Sequence, residues 1–215
     1  MGKLPTVSTI LVVCTGNICR SPMAAGFLRA GLAARGATGV AVTSCGISGW
    51  EGSEAVPEAI EAMVEQGLDI TGHRARRFDR QMARDADLVL AMAAEHREAV
   101  GAAMPETASR TFTLKELARL LDRLPDDAVG AGSAEGRLAA LVTAAERVRA
   151  SGAVETARDE DVADPLGLGV EAFRATAWEI EGLCTKILDA AFGQPAAAGA
   201  EQPDGGTNWL KGGAP

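Results

Sequence analysis

Nine residues, Cys14-Thr15-Gly16-Asn17-Ile18-Cys19-Arg20-Ser21-Pro22, separate an apolar run from a helix-like segment. The run Val7-Ser8-Thr9-Ile10-Leu11-Val12-Val13 has the aliphatic and β-branched content of a buried strand. Pro22 suits a first helical turn, where its missing N–H costs no hydrogen bond. The stretch therefore predicts strand, tight loop, helix. Such a loop gathers backbone N–H groups at the positive end of a helix dipole and favours an anion there. Cys14 and Arg20, with five residues between them, add a thiol and a guanidinium to the same small space.

Each residue type has a reason to be in such a loop. A cysteine attacks as thiolate, and a helix N-terminus and a nearby cation are surroundings that favour that form. The planar fork of Arg20 matches two oxygens of a tetrahedral oxyanion. Gly16 permits a backbone twist that most residues resist. Asn17 tolerates left-handed geometry and carries an amide able to brace the loop. Ser21 can donate its hydroxyl to the sulfur or cap the helix. Thr15, Ile18 and Cys19 complete the rim. Taken singly, each has an ordinary reading as core, surface or turn; the combination at this spacing does not.

The rest of the chain alternates. Strands are expected at 7–13, 40–44, 88–92 and 110–113. Helices are expected at 22–35, 58–66, 79–84, 95–103, 114–124, 135–150 and 169–192. This order implies an α/β fold: a single doubly wound domain with a four-stranded parallel sheet flanked by helices on both faces, plus a helical insertion. The domain is expected to span residues 1–192, with the insertion at 122–161 and an unstructured Ala-, Gly- and Pro-rich tail at 193–215. In the insertion, Leu138, Leu141, Val142, Ala145 and Val148 share one helical face. That helix either packs on the outside of the domain or serves as a lid. Ligands in such sheets bind beyond the carboxyl ends of the strands, which is where Cys14 falls.

The segment from Val13 to Ala24 resembles the phosphate-binding loop of the low-molecular-weight protein tyrosine phosphatases. The resemblance covers roughly residues 6–121 and 162–192. It implies a cysteinyl-phosphate mechanism with Cys14 as nucleophile, Arg20 as phosphate clamp, and no metal or cofactor. It also implies a general acid late in the chain. Asp164, in Ala163-Asp164-Pro165-Leu166, takes that part; alone, the pair would read as an ordinary turn. The family commonly has Tyr after that proline. This chain has Leu166 there and contains no Tyr. By the same resemblance, Ser44 and His73 brace Asn17, and Trp50 either walls the substrate slot or packs on its own loop. His96 reads as an exposed residue on the helix after the third strand, with no role.

The resemblance implies a phosphotyrosine protein as substrate, a bacterial tyrosine kinase among the options, and a cytoplasmic setting. Phosphoarginine is the alternative substrate, because arginine phosphatases share the loop. They carry Thr after the loop Asn, whereas this chain has Ile18. Arsenate reduction needs relay thiols; residues 80–100 hold no cysteine, which leaves Cys19 and Cys45 as the available partners of Cys14. Cys45 and Cys184 otherwise read as small buried hydrophobes. A non-catalytic phosphoprotein-binding module is the remaining reading. The net charge of −8 argues against nucleic acid as a partner. No apolar run approaches the ~20 residues of a membrane span. Four scattered cysteines and two histidines suggest neither a disulfide framework nor a metal cluster.

Overall fold

A computed structural model describes residues 7–125, 127–154 and 159–195. The parallel sheet comprises β1 (Ser8–Cys14), β2 (Val40–Gly46), β3 (Leu88–Ala91) and β4 (Thr111–Thr113), in the spatial order β2-β1-β3-β4. Helices α1 (Arg20–Ala34), α2 (Pro57–Glu65), α3 (Arg80–Asp85), α4 (Ala94–Ala103), α5 (Leu114–Leu121), α6 (Ala134–Ala150) and α7 (Val170–Phe192) connect and cover it. The chain leaves β1 for β2 on one side and returns to β3 on the other. The carboxyl end of β1 is therefore the switch point at which connections diverge, and a crevice opens there.

Alternate residues of β1 feed two cores. Ile10, Val12 and Cys14 face a large cluster with α1, α2, α5, α6 and α7, while Leu11 and Val13 face a smaller one with α3 and α4. Five successive strand residues, Ile10 to Cys14, are buried, so β1 reads as a continuous apolar run, as strands covered on both faces do. Elements lie within a few residues of the sequence expectation. The informative shift is α1, which begins at Arg20 instead of Pro22. The last residues of the loop are already helical, which places Arg20 and Ser21 in the first turn.

The insertion helix α6 packs on the outside of the large core through Leu138, Leu141 and Ala145, all fully buried. Arg149 near its end lies over the Phe112 ring at 4.1 Å and donates to the Thr111 carbonyl at 2.8 Å. These contacts fix α6 against α5, α7 and β4, away from the loop after β1. It is a packed helix, and among the described residues the lid reading finds no contact in its favour. The expected tail lies, from residue 196 on, outside the described residues.

Candidate active site

The loop after β1 turns its carbonyls outward and ties them down. Ile47 N–H donates to Cys14 O at 2.9 Å, Ser48 N–H to Thr15 O at 2.9 Å, Trp50 N–H to Gly16 O at 3.2 Å and Val56 N–H to Ile18 O at 3.0 Å. Among the described residues, the N–H groups of Gly16, Ile18 and Cys19 meet no protein acceptor. Buried amides rarely stay unpaired, so this geometry suits an anion with several oxygens. The left-handed residue is Asn17, at φ 58°, and not Gly16, whose φ is ordinary. Asn adopts this conformation when its short side chain finds local hydrogen bonds. Here Asn17 Nδ2 donates to Ser21 Oγ at 2.8 Å and to Ser44 Oγ at 3.0 Å, and its Oδ1 accepts from Arg76 N–H at 2.8 Å. His73 lies with Nε2 at 2.7 Å from the Asn17 carbonyl. Ser44 and His73 thus hold Asn17 from two sides, one at the amide and one at the backbone.

Gly46 explains why β2 can approach this loop. A Cβ there would lie 2.5 Å from Thr15 O and 2.8 Å from Asn17 N, both backbone atoms unable to give way.

Cys14 Sγ sits at the floor. It accepts from Asn17 N–H at 3.2 Å and lies 2.9 Å from Ser21 Oγ. Because Asn17 Nδ2 already donates to Ser21 Oγ, the serine proton is free to point at sulfur. Two donors therefore converge on the atom that would carry a thiolate charge.

Arg20 is buried, and both terminal nitrogens of its guanidinium have protein partners. Nη1 donates to Val162 O at 3.1 Å; Nη2 donates to Thr15 Oγ1 at 3.2 Å and to Asp164 Oδ2 at 2.5 Å. The segment bearing Asp164 is stitched to β3 by Val162 N–H on Met92 O at 2.8 Å. Asp164 Oδ1 accepts from Leu166 N–H at 3.1 Å, the local turn expected of Asp before Pro. Residues separated by 144 positions thus meet at one guanidinium.

A cavity of about 130 Å³ is lined by Cys14, Ile18, Arg20, Trp50, Asp164 and Leu166 among others. That volume suits one modified side chain and is well below the ~300 Å³ or more of drug-sized sites. Trp50 is 56 % exposed and Leu166 47 % exposed, so each offers apolar surface to an incoming group. Leu166 takes the wall where an aromatic residue was expected.

His96 requires correction. It is 2 % exposed, not a surface residue, because α4 starts at Ala94 and turns this side chain beneath the loop. Its Nε2 lies 2.9 Å from Thr15 Oγ1 and 3.3 Å from Glu95 Oε1, and its Nδ1 has no partner. Burial, followed by the field of Arg20, holds its pKa below the ordinary imidazole value. The sequence carries no periodicity signal for this contact, since α4 places polar residues on both faces. Val162 and Arg76, which hold Arg20 and Asn17 through backbone atoms, were equally invisible to residue type.

The thiolate form is disfavoured at the two cysteines nearest Cys14. Burial, then the neighbouring Cys14, pushes Cys19 up to about 12, and the same two causes push Cys45 up to about 12. Cys45 also packs in the cluster on the opposite sheet face from Cys14.

The model of the family described as low molecular weight phosphotyrosine protein phosphatase matches residues 9–124. The chain belongs to this family. A probable low molecular weight protein-tyrosine-phosphatase of Ralstonia solanacearum is 41 % identical over 111 residues, 52 % of this chain and 73 % of the relative. A protein-arginine-phosphatase of Geobacillus stearothermophilus is 31 % identical over 180 residues, 84 % of this chain and 93 % of the relative. Among solved structures, the low molecular weight protein tyrosine phosphatase from T. tengcongensis superposes with a TM-score of 0.62 at 33 % identity, covering 85 % of this chain and 98 % of that one. The match to the family model takes in the loop and the whole sheet but stops short of Asp164. The longer match to the arginine phosphatase covers most of the chain.

Proposed function

We propose that this phosphatase hydrolyses phosphotyrosine in proteins through a cysteinyl-phosphate. The observation that carries the reading is the convergence of Ser21 and Asn17 on Cys14 Sγ, at the floor of a loop whose Arg20 reaches Asp164. The Cys14 thiolate attacks phosphorus in line and forms an S–P bond. The P–O bond to the tyrosine breaks, and its electron pair leaves with the phenolic oxygen. Asp164, protonated in the reacting complex, gives that oxygen its proton. Arg20 and the loop N–H groups hold the equatorial oxygens and neutralise charge as it redistributes. In the second step the Asp164 carboxylate takes a proton from water as the water attacks phosphorus; the S–P bond breaks and the thiolate returns.

Arg20 also sets the order of events. Its Nη2 holds Asp164 Oδ2 at 2.5 Å. A phosphoryl group taking the same fork competes for this donor and releases the carboxyl toward the leaving oxygen. Substrate binding and positioning of the acid are one exchange of partners.

The aryl preference rests on Ile18, Trp50 and Leu166, an apolar frame around the slot that suits a phenyl ring. The second reading, phosphoarginine, is favoured by the long match to an arginine phosphatase. Turnover of two peptides differing only in phosphotyrosine or phosphoarginine decides between them. The proposal requires at least a tenfold higher kcat/KM for phosphotyrosine; the opposite order overturns it. The same reading sets the enzyme in the cytoplasm among tyrosine-phosphorylated proteins, a tyrosine kinase included, and cell fractionation checks the compartment.

A further inference from the structure

Behind the loop lies a second concavity, of about 430 Å³, walled by Arg29, Ser44, Asp69, His73, Arg74 and Arg76. Its floor is the outer edge of β2, an edge strand whose outward carbonyls have no neighbouring strand to pair with. Arg29 places Nε and Nη2 on Val42 O at 3.2 and 3.1 Å, and Arg76 places Nε and Nη2 on Ser44 O at 3.3 and 3.0 Å. Each guanidinium is thereby held in a fixed orientation, with Nη1 left over. The two carbonyls are two residues apart on one strand, so the guanidiniums stand roughly 7 Å apart.

These two arginines are uncompensated. In a chain of net charge −8, neither has a carboxylate within ion-pair distance among the described residues. Arg74 does, pairing with Glu54 at 3.0 Å. Asp69 is the one acid on the wall, and its Oδ1 accepts from Thr71 N–H at 2.7 Å in a local turn. Burial and then Arg76 lower the pKa of Arg29; burial lowers that of His73, with Arg29, Arg76 and Arg74 adding to it.

We infer that this concavity is a second oxyanion site, in which Arg29 and Arg76 jointly take a phosphoryl group at a place that shares no lining residue with the catalytic cavity. A tetrahedral anion accepting at about 2.7–2.9 Å from the remaining Nη1 of each guanidinium spans a separation of this order and supplies the missing negative charge. The phosphoryl group is either free phosphate or one borne by a phosphoprotein. The site does not depend on the catalytic reading, since among the described residues the side chains of Arg29 and Arg76 hydrogen-bond to β2 carbonyls and not to the loop that holds Cys14. It does share walls with that loop, because Ser44, His73 and the Arg76 backbone are the groups that secure Asn17.

Titration of the full chain with inorganic phosphate, followed by backbone amide NMR at constant ionic strength, tests it. Ile70, Gly72 and Arg74 amides are expected to shift with their own saturation curve, distinct from that of Gly16 and Ile18. Arg29→Met, which keeps the apolar stem, weakens that curve at least tenfold and leaves the phosphate inhibition constant for catalysis within twofold. A phosphoserine peptide that saturates the same amides at lower concentration than phosphate identifies a phosphoprotein as the source; phosphate alone doing so identifies the free anion. Equal shifts with chloride, a single curve shared with the catalytic loop, or curves unchanged in Arg29→Met overturn the site.

Discussion

Ser21 Oγ lies 2.9 Å from Cys14 Sγ and cannot give its proton to Asn17, whose amide already donates to it at 2.8 Å. Toward a Cys14 thiolate, which has no proton to give, the serine acts as the donor. Ser21→Ala removes a hydrogen bond to a charged group, worth about 1.5–3 kcal/mol. We expect kcat/KM on an aryl phosphate to fall ten- to a hundredfold, and iodoacetamide alkylation of Cys14 at neutral pH to slow with it. Unchanged alkylation would remove Ser21 from the mechanism.

Asp164→Asn keeps a partner for Arg20 but cannot transfer a proton. A positioned acid contributes typically 10²–10⁴-fold, so kcat on phosphotyrosine is expected to drop within that range. The loss should shrink for esters with strongly acidic leaving groups, which need no proton. A uniform loss across leaving groups would mean that Asp164 only positions Arg20.

Thr15 Oγ1 accepts from Arg20 and also contacts His96, so the three act as a unit behind the phosphate clamp. Thr15→Val and His96→Leu are each expected to lower kcat about tenfold, the order of one lost hydrogen bond. The double variant should be no worse than the poorer single, because residues in one network are not additive. Steady-state kinetics on all three variants measures this; simple multiplication of effects would dissolve the unit.

Gly46→Ala forces a methyl to 2.5 Å from Thr15 O. Overpacking of this kind costs ~1–3 kcal/mol, and the displaced loop should lose activity. Gly101→Ala in α4 meets open space and should stabilise by up to ~1 kcal/mol, since glycine is unfavourable inside a helix. Urea midpoints of the two variants should therefore move in opposite directions.

His73 and His96 both have pKa values lowered by burial. Their folded forms resist protonation while the unfolded chain takes up protons at about pH 6.5. The unfolded state thus binds more protons below that pH, so stability falls as pH drops from about 6.5 toward the depressed folded values. His73→Gln, which keeps a donor for Asn17 O, is expected to flatten this slope in part. Urea unfolding at a series of pH values between 7 and 5 reads it directly.

The strand–loop–helix at Cys14–Pro22 and the α/β alternation around it are legible in the order of residues alone. Local geometry leaves few options where a thiol, a left-handed Asn, a guanidinium and a helix-opening proline follow a buried strand. Ser44, His73 and Asp164 were singled out because their residue types resemble those of a known family, and the structure places all three in hydrogen-bond contact with residues of the loop. Tertiary structure alone decided the contacts made across long separations. Arg20 on Asp164 and Val162, Thr15 on His96 and Gly46 against Thr15 depend on how strand ends align, which no local pattern records. His96 shows the reason most plainly. Polar side chains are usually exposed, so its sequence context predicts solvent; the start of α4 and the path of the loop bury it instead. The paired arginines behind β2 follow the same logic, because an edge strand exists only once the order β2-β1-β3-β4 is set.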